Sequence, residues 1–174
     1  MMYDETTAQC LVYSYNEGLL ARLGHDLEHR ATRFKLEVEE RKVLAEVDAR
    51  SLRVVCARRY GRNVDDALTD DQKKEIEAQM TQSVLRADAY PWIRFRSTSV
   101  WAAGAEIRIH GLLQLNNYIR PLSTVARRVN GHYEAEVTIH QPAFGIHPFS
   151  ALQGALRVKP DVTVRVVVPV QSQA

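Results

Sequence analysis

His25 and His29 are the residues whose type and spacing most resemble a reactive site. With Asp26 between them they form an H-x3-H pattern. On a helix, two histidines so spaced share a face and could ligate zinc. The pattern lacks the glutamate of H-E-x-x-H and any obvious third ligand. No metal site is therefore expected, and His25 and Asp26 are expected to make polar contacts at the rim of the fold. His110, His132 and His140 fall on outward-facing positions of strand-like runs. Ser123 and Ser150 have no G-x-S-x-G context for a hydrolase nucleophile. Gly61 and Gly104 are isolated turn glycines, not a phosphate loop. Cys10 and Cys56 form neither a CxxC pair nor a disulfide framework. No catalytic residue and no cofactor is expected.

Charge excludes a further class. A formal net charge of +2 over 174 residues is too small to indicate a nucleic-acid binder. The densest basic run, "CARRYGR" with Arg58, Arg59 and Arg62, reads as a solvated loop. Arg94, Arg96 and Arg108 read as a basic stripe on a solvated sheet face, with a site for acidic surfaces or lipid head groups as the sharper alternative. Apolar content of 45% and charged content of 25% match a folded globular chain. The length suits one domain over residues 1–174. The first residues, "MMYDETTAQC", lack a signal-peptide pattern, and no apolar run is long enough for a membrane span. The expected location is the cytoplasm.

Period-two alternation dominates the chain. It puts Phe34, Leu36 and Val38 opposite Lys35, Glu37 and Glu39. The same rhythm returns at Val43, Ala45, Val47 and Ala49, at Ile93 and Phe95, and at Ile107, Ile109, Gly111, Leu113 and Leu115. Tyr133, Ala135, Val137 and Ile139 continue it, and Val162, Val164, Val166 and Val168 end it. This is the pattern of antiparallel strands with one dry and one wet face. Asn130-Gly131 is a strong hairpin signal, and Gly104 marks another turn. Adding runs near 7–15 and 118–129 makes about eight strands. They are interrupted once, by a helix over about residues 69–86. There Thr69 and Gln72 form a capping box, Asp70 and Asp71 suit the helix N-terminus, and Ile76, Met80 and Val84 make a narrow apolar stripe. Pro91 requires the helix to have ended.

Such strands make a closed barrel or a two-sheet sandwich. A barrel of eight strands is either filled by side chains or holds one small ligand. The small inward residues Ala45, Ala49, Ser97, Gly111 and Ala135 leave room, and a cavity there would be hydrophobic. The stretch "AFGIHPFSALQGALRV", residues 143–158, is too rich in glycine and proline for a regular element and too apolar for a solvated loop.

Four segments in order resemble a known family. They are "GHDL" (Gly24 to Leu27), "VLRADAYPWIRFRST" (Val84 to Thr98), "IHGLLQLNNYIRPL" (Ile109 to Leu122) and "FGIHPFSALQGALRV" followed by "DVTVRV". Together they are similar to the YceI-like, polyisoprenoid-binding, lipocalin-like proteins. Asn117 departs from a glycine common before the "RP" pair, but Asn tolerates positive φ. Many members are secreted, whereas this chain shows no export signal.

The resemblance implies an all-β fold, an extended antiparallel eight-stranded lipocalin-like barrel with one inserted α-helix. It also implies an elongated pocket for an isoprenoid or acyl-chain lipid. On that reading Phe34, Leu36, Val38 and Phe95 line the pocket, as do Ile107, Ile109, Leu113 and Tyr133. Phe144, Phe149 and Leu152 close the mouth, and His147 touches a head group. The expected activity is non-catalytic binding or carriage of such a lipid. The alternative is a filled barrel serving as a structural or stress-associated interaction module, as a possible homodimer.

Overall fold

The computed structural model describes residues 1–19 and 24–170. Alternating apolar and polar residues lay down β1 (Met2–Asp4), β2 (Gln9–Ser14), β3 (Asn16–Glu17), β4 (Asp26–Ala31) and β5 (Phe34–Glu39). β6 (Lys42–Asp48), β7 (Leu52–Arg59) and β8 (Arg62–Val64) follow, then α1 (Asp70–Gln79). The second half holds β9 (Trp92–Ala103), β10 (Glu106–Leu115), β11 (Tyr118–Val129) and β12 (His132–His140). β13 (Ser150–Ala151), β14 (Leu156–Val158) and β15 (Asp161–Pro169) complete it.

Twelve strands form one antiparallel sheet in the order β1-β5-β6-β9-β10-β11-β12-β15-β2-β4-β7-β8. The sheet curls strongly into a half-barrel of lipocalin-like kind. β13, β14 and β3 make a second, small sheet. The strands of the main sheet outnumber the eight read from the sequence because β1 and β8 are only three residues long and charged residues in β4 and β7 hide their alternation. The basic run "CARRYGR" is accordingly not a loop. Cys56 to Arg59 belong to β7, Arg62 starts β8, and Tyr60-Gly61 turn between them with φ of 52° and 74°. Asn130-Gly131 also turns with positive φ at both residues, 47° and 79°. Asn117 adopts φ 64°, as a glycine substitute there must.

A corner held by hydrogen bonds lies between β4 and β5. Thr32 donates to the Ser51 carbonyl from both its amide (3.1 Å) and its hydroxyl (2.8 Å). The Arg33 amide donates to Ser51 Oγ at 3.1 Å, and the Asp48 amide donates to the Arg33 carbonyl at 3.1 Å. Asp48, fully buried, ends β6, so Ala49 begins a 3-10 turn instead of extending the strand. Its carboxylate accepts from the Arg50 amide (3.0 Å), from Arg50 Nε (2.9 Å) and Nη2 (3.0 Å), and from Arg33 Nη1 (2.9 Å). These bonds hold its carboxyl below the usual carboxylate range, the Arg50 side chain contributing most.

α1 forms where the sequence places it. Thr69 accepts from the Gln72 amide while Gln72 accepts from the Thr69 amide. The α-helix stops at Gln79 and continues as a π-helical turn through Val84. No α1 residue is fully buried. Two side chains tie the helix to β7, which β8 covers only over Ala57–Arg59. Glu77 accepts from the Val54 amide and Lys73 Nζ donates to the Val55 carbonyl, both at 2.8 Å. Thr69→Ala is expected to cost about 1 kcal/mol of helix stability. Faster amide exchange over Asp70–Gln79, with strand amides unchanged, checks it.

One irregularity corrects a sequence expectation. The β9–β10 register shifts between His110 and Gly111, so that Gly111 faces Ser97. The Phe95 ring lies where a Gly111 side chain would sit. This glycine makes room for Phe95, not for a ligand.

Candidate functional site

The inward faces of the curled sheet enclose a cavity of about 1080 Å³. β15 contributes Val162, Val164, Val166 and Val168, and β12 contributes Tyr133, Ala135, Val137 and Ile139. β10 adds Ile107, Ile109, Leu113 and Leu115; β5 and β6 add Leu36, Val38, Val43, Ala45 and Val47. Beyond the bulge, β9 changes parity, so Ile93 and Phe95 are followed on the wall by Val100 and Ala102. The helical segment supplies Ile76, Met80, Val84 and Leu85. Val162 and Val168 stand six residues apart on one strand, so the wall runs for about 20 Å.

Polar side chains are few and placed mostly at the ends. Near the small sheet are Asn16, His25 and Arg157, with Arg157 Nε bonded to Glu17 at 2.9 Å. Asp26 accepts from the Asn16 amide at 2.8 Å. Glu39 and Glu40 lie at the turn between β5 and β6. Also on the wall, His29, 4% exposed, meets Ser14 through its Nε2 at 3.1 Å. The His29 Nδ1 has no hydrogen-bond partner in the protein. Burial pushes His29 down to about 4, so its imidazole is neutral at neutral pH, and pushes the Cys10 thiol on the same wall up to about 11.

Of the twelve residues expected at a ligand, Leu36, Val38, Phe95, Ile107, Ile109, Leu113, Tyr133 and Phe149 stand on the cavity wall. Four do not. Phe34 is buried at the β4–β5 corner and packs in the core with Tyr3, Ala31 and Leu52. Phe144, in a 3-10 turn, packs against the wall residues Leu113, Leu115, Ile139 and Ile146. His147 is exposed. Leu152 is 64% exposed, because the two-residue β13 delivers it to a surface turn at φ 51°. The irregular stretch does reach the cavity, but through Ile146, Phe149, Leu156, Arg157 and Val158.

His25 and His29 are not on a helix. His25 precedes β4 and His29 lies within it, so period two puts both, with Leu27, on the cavity side. No group of three potential metal ligands occurs among the described residues. On the outer face, His110 Nδ1 approaches Ser123 Oγ at 2.6 Å and the His110 ring stacks on Trp101, away from the cavity. Arg94, also outward, pairs with Glu46 at 2.7 Å. Reasoning from the sequence missed Ser14, Leu27 and His29 as wall residues; alternation from Cys10 to Ser14 and from His25 to His29 was the signal.

The family model of the YceI-like domain matches residues 15–170. The chain belongs to that family. Solved structures share the fold. BcnA of Burkholderia cenocepacia superposes with a TM-score of 0.67 at 13% identity, over 95% of this chain and 97% of that one. A polyisoprenoid binding domain from Saccharophagus degradans, implicated in plant cell wall breakdown, gives 0.59 at 9%, over 96% and 94%. A mutant Campylobacter jejuni YceI protein with a monobromobimane guest structure gives 0.60 at 10%, over 84% and 85%. No curated protein matches the chain. At these identities the YceI-like likeness concerns the fold. Among the described residues no helix is long and apolar enough to cross a membrane.

Proposed function

We propose that this YceI-like protein binds the chain of an amphiphilic isoprenoid or fatty-acyl lipid in the cavity, and carries or sequesters it without chemical transformation. The observation that carries this reading is the length and nearly unbroken apolar wall of a space of about 1080 Å³. That volume equals about 36 water-sized groups, enough for a chain of some tens of carbons. Each buried methylene contributes about 0.8 kcal/mol, so ten give roughly 8 kcal/mol before the loss of chain and translational freedom. Affinity therefore needs no strong polar contact. The polyisoprenoid binding domain with the same fold supports the isoprenoid class. A space of this size disfavours the filled-barrel alternative.

The test is mass spectrometry of the purified protein, native and after solvent extraction, beside Ala135→Phe. Ala135 stands on the wall and its substitution fills the space. A stoichiometric prenyl or acyl species is expected in the wild type and not in the variant, with both folded. Equal lipid content in the two, or no lipid and no change in melting temperature with added geranylgeraniol or palmitic acid, would sink the proposal.

A further inference from the structure

We infer that Ser14 and His29 form a polar anchor inside the cavity, selecting lipids whose chain carries an uncharged oxygen acceptor such as a ketone, ester or quinone carbonyl. The inference rests on the reading of the cavity as a lipid site and concerns which lipid it takes. Both residues stand on the wall, and their neighbours there on β2 and β4 include Val12 and Leu27. Alternation explains the position, since Ser14 and His29 project inward from adjacent strands.

Counting hydrogen bonds shows what the pair has left over. A neutral imidazole has one donor and one acceptor, and a hydroxyl has one donor and two acceptor lone pairs. The 3.1 Å contact between Ser14 Oγ and His29 Nε2 uses one donor and one acceptor. If the hydroxyl donated, His29 would bury an N–H at Nδ1, which has no partner. Orphaned buried N–H groups are rarer than under-satisfied acceptors. The better arrangement has His29 Nε2–H donating to Ser14 Oγ, which leaves the Ser14 O–H free to donate into the cavity.

Other polar residues of the wall are paired elsewhere or stand apart, Tyr133 lying on β12 opposite Val168, six residues along β15 from Val162. Thr124 donates to the Glu136 carbonyl, Gln141 donates to the Lys159 carbonyl, and Arg157 at the mouth pairs with Glu17. His29, the partner of the Ser14 hydroxyl, stays neutral, and among the described residues the one arginine of the wall, Arg157, is paired with Glu17. A carbonyl oxygen suits this donor, whereas a carboxylate would lose its hydration without a counter-charge.

The experiment displaces a pyrene-labelled alkane from the wild-type protein with hexadecane, 2-hexadecanone or palmitate. The ketone is expected to compete roughly 3- to 10-fold more strongly than hexadecane, the worth of one hydrogen bond, and palmitate no better than the ketone. In Ser14→Ala the ketone preference falls to about one, and Ser14→Thr, which keeps the hydroxyl, restores it. A preference that survives Ser14→Ala, no preference in the wild type, or a clear advantage for palmitate overturns the anchor while leaving the cavity a lipid site. Failure of the protein to bind the pyrene-labelled alkane or any of the three compounds overturns both readings.

Discussion

Lowering the pH from about 6.5 to about 4 is expected to remove about 3 kcal/mol of stability through His29 alone. In the folded protein burial holds His29 down to about 4, while an unfolded chain protonates it near 6.5. Across that window the unfolded state carries the extra proton, so stability rises with pH. Above the window both states are neutral, and below it both are charged, so the contribution is flat at either end. Urea unfolding over a pH series, wild type against His29→Gln, isolates the effect from other titrating groups. The two curves should diverge in slope by up to about 1.4 kcal/mol per pH unit within the window. Parallel curves would remove the argument. Direct NMR titration of the His29 ring in the wild type gives the same answer if the variant folds poorly.

Asp48→Ala should lower stability by about 3 kcal/mol at pH 7, roughly 6–12 °C in Tm for a chain of this size. Asp48 is the meeting point of β6, the following 3-10 turn and the β4–β5 corner, and its carboxylate takes four hydrogen bonds. Without it, Arg33 and Arg50, 69% and 48% exposed, can turn to water, but the buried Asp48 position and the Arg50 amide cannot. Because its folded carboxyl is held low, Asp48 stabilises the protein above the usual carboxylate value of about 3.9. That stabilisation is lost as pH falls through the lower folded value. The gap between wild type and Asp48→Asn should therefore narrow in strong acid. Calorimetry showing less than about 1 kcal/mol for the alanine variant would mean that the corner is held by its main-chain bonds alone.

The two groups were not equally legible in the sequence. Long alternating runs such as Glu106–Leu115 and Asp161–Pro169 declared their strands and inward faces, because one residue type per face leaves one solution. β4 did not, since Asp26, Glu28 and Arg30 alternate with an inward face that is itself half histidine. The H-x3-H spacing suggested a helical pair; a strand turns the same spacing into two residues on one wall. Gly111 looked like empty space until the bulge brought the Phe95 ring over it. Leu152 looked like a mouth residue, because hydrophobicity alone says nothing of the surface turn that carries it outward. The irregular 143–158 stretch was legible as a segment beside the cavity, but which apolar side chains reach the wall depends on two 3-10 turns whose geometry leaves no periodic trace.

The pairing of β2 with β15 joins residues near 10 to residues near 165. During synthesis the earlier strands can pair, but β2 and β12 each keep a bare edge until residues 161–169 have left the ribosome. Joining of the two halves of the sheet is thus among the last folding events, and such non-local pairing is slow. Until it happens, the valine-rich interior faces water from an incomplete wall, the state most open to edge-to-edge association. On the proposed function, a nascent chain could not retain a hydrophobic cargo in a compartment that lacks one side, so loading would follow translation and be separate from it in time.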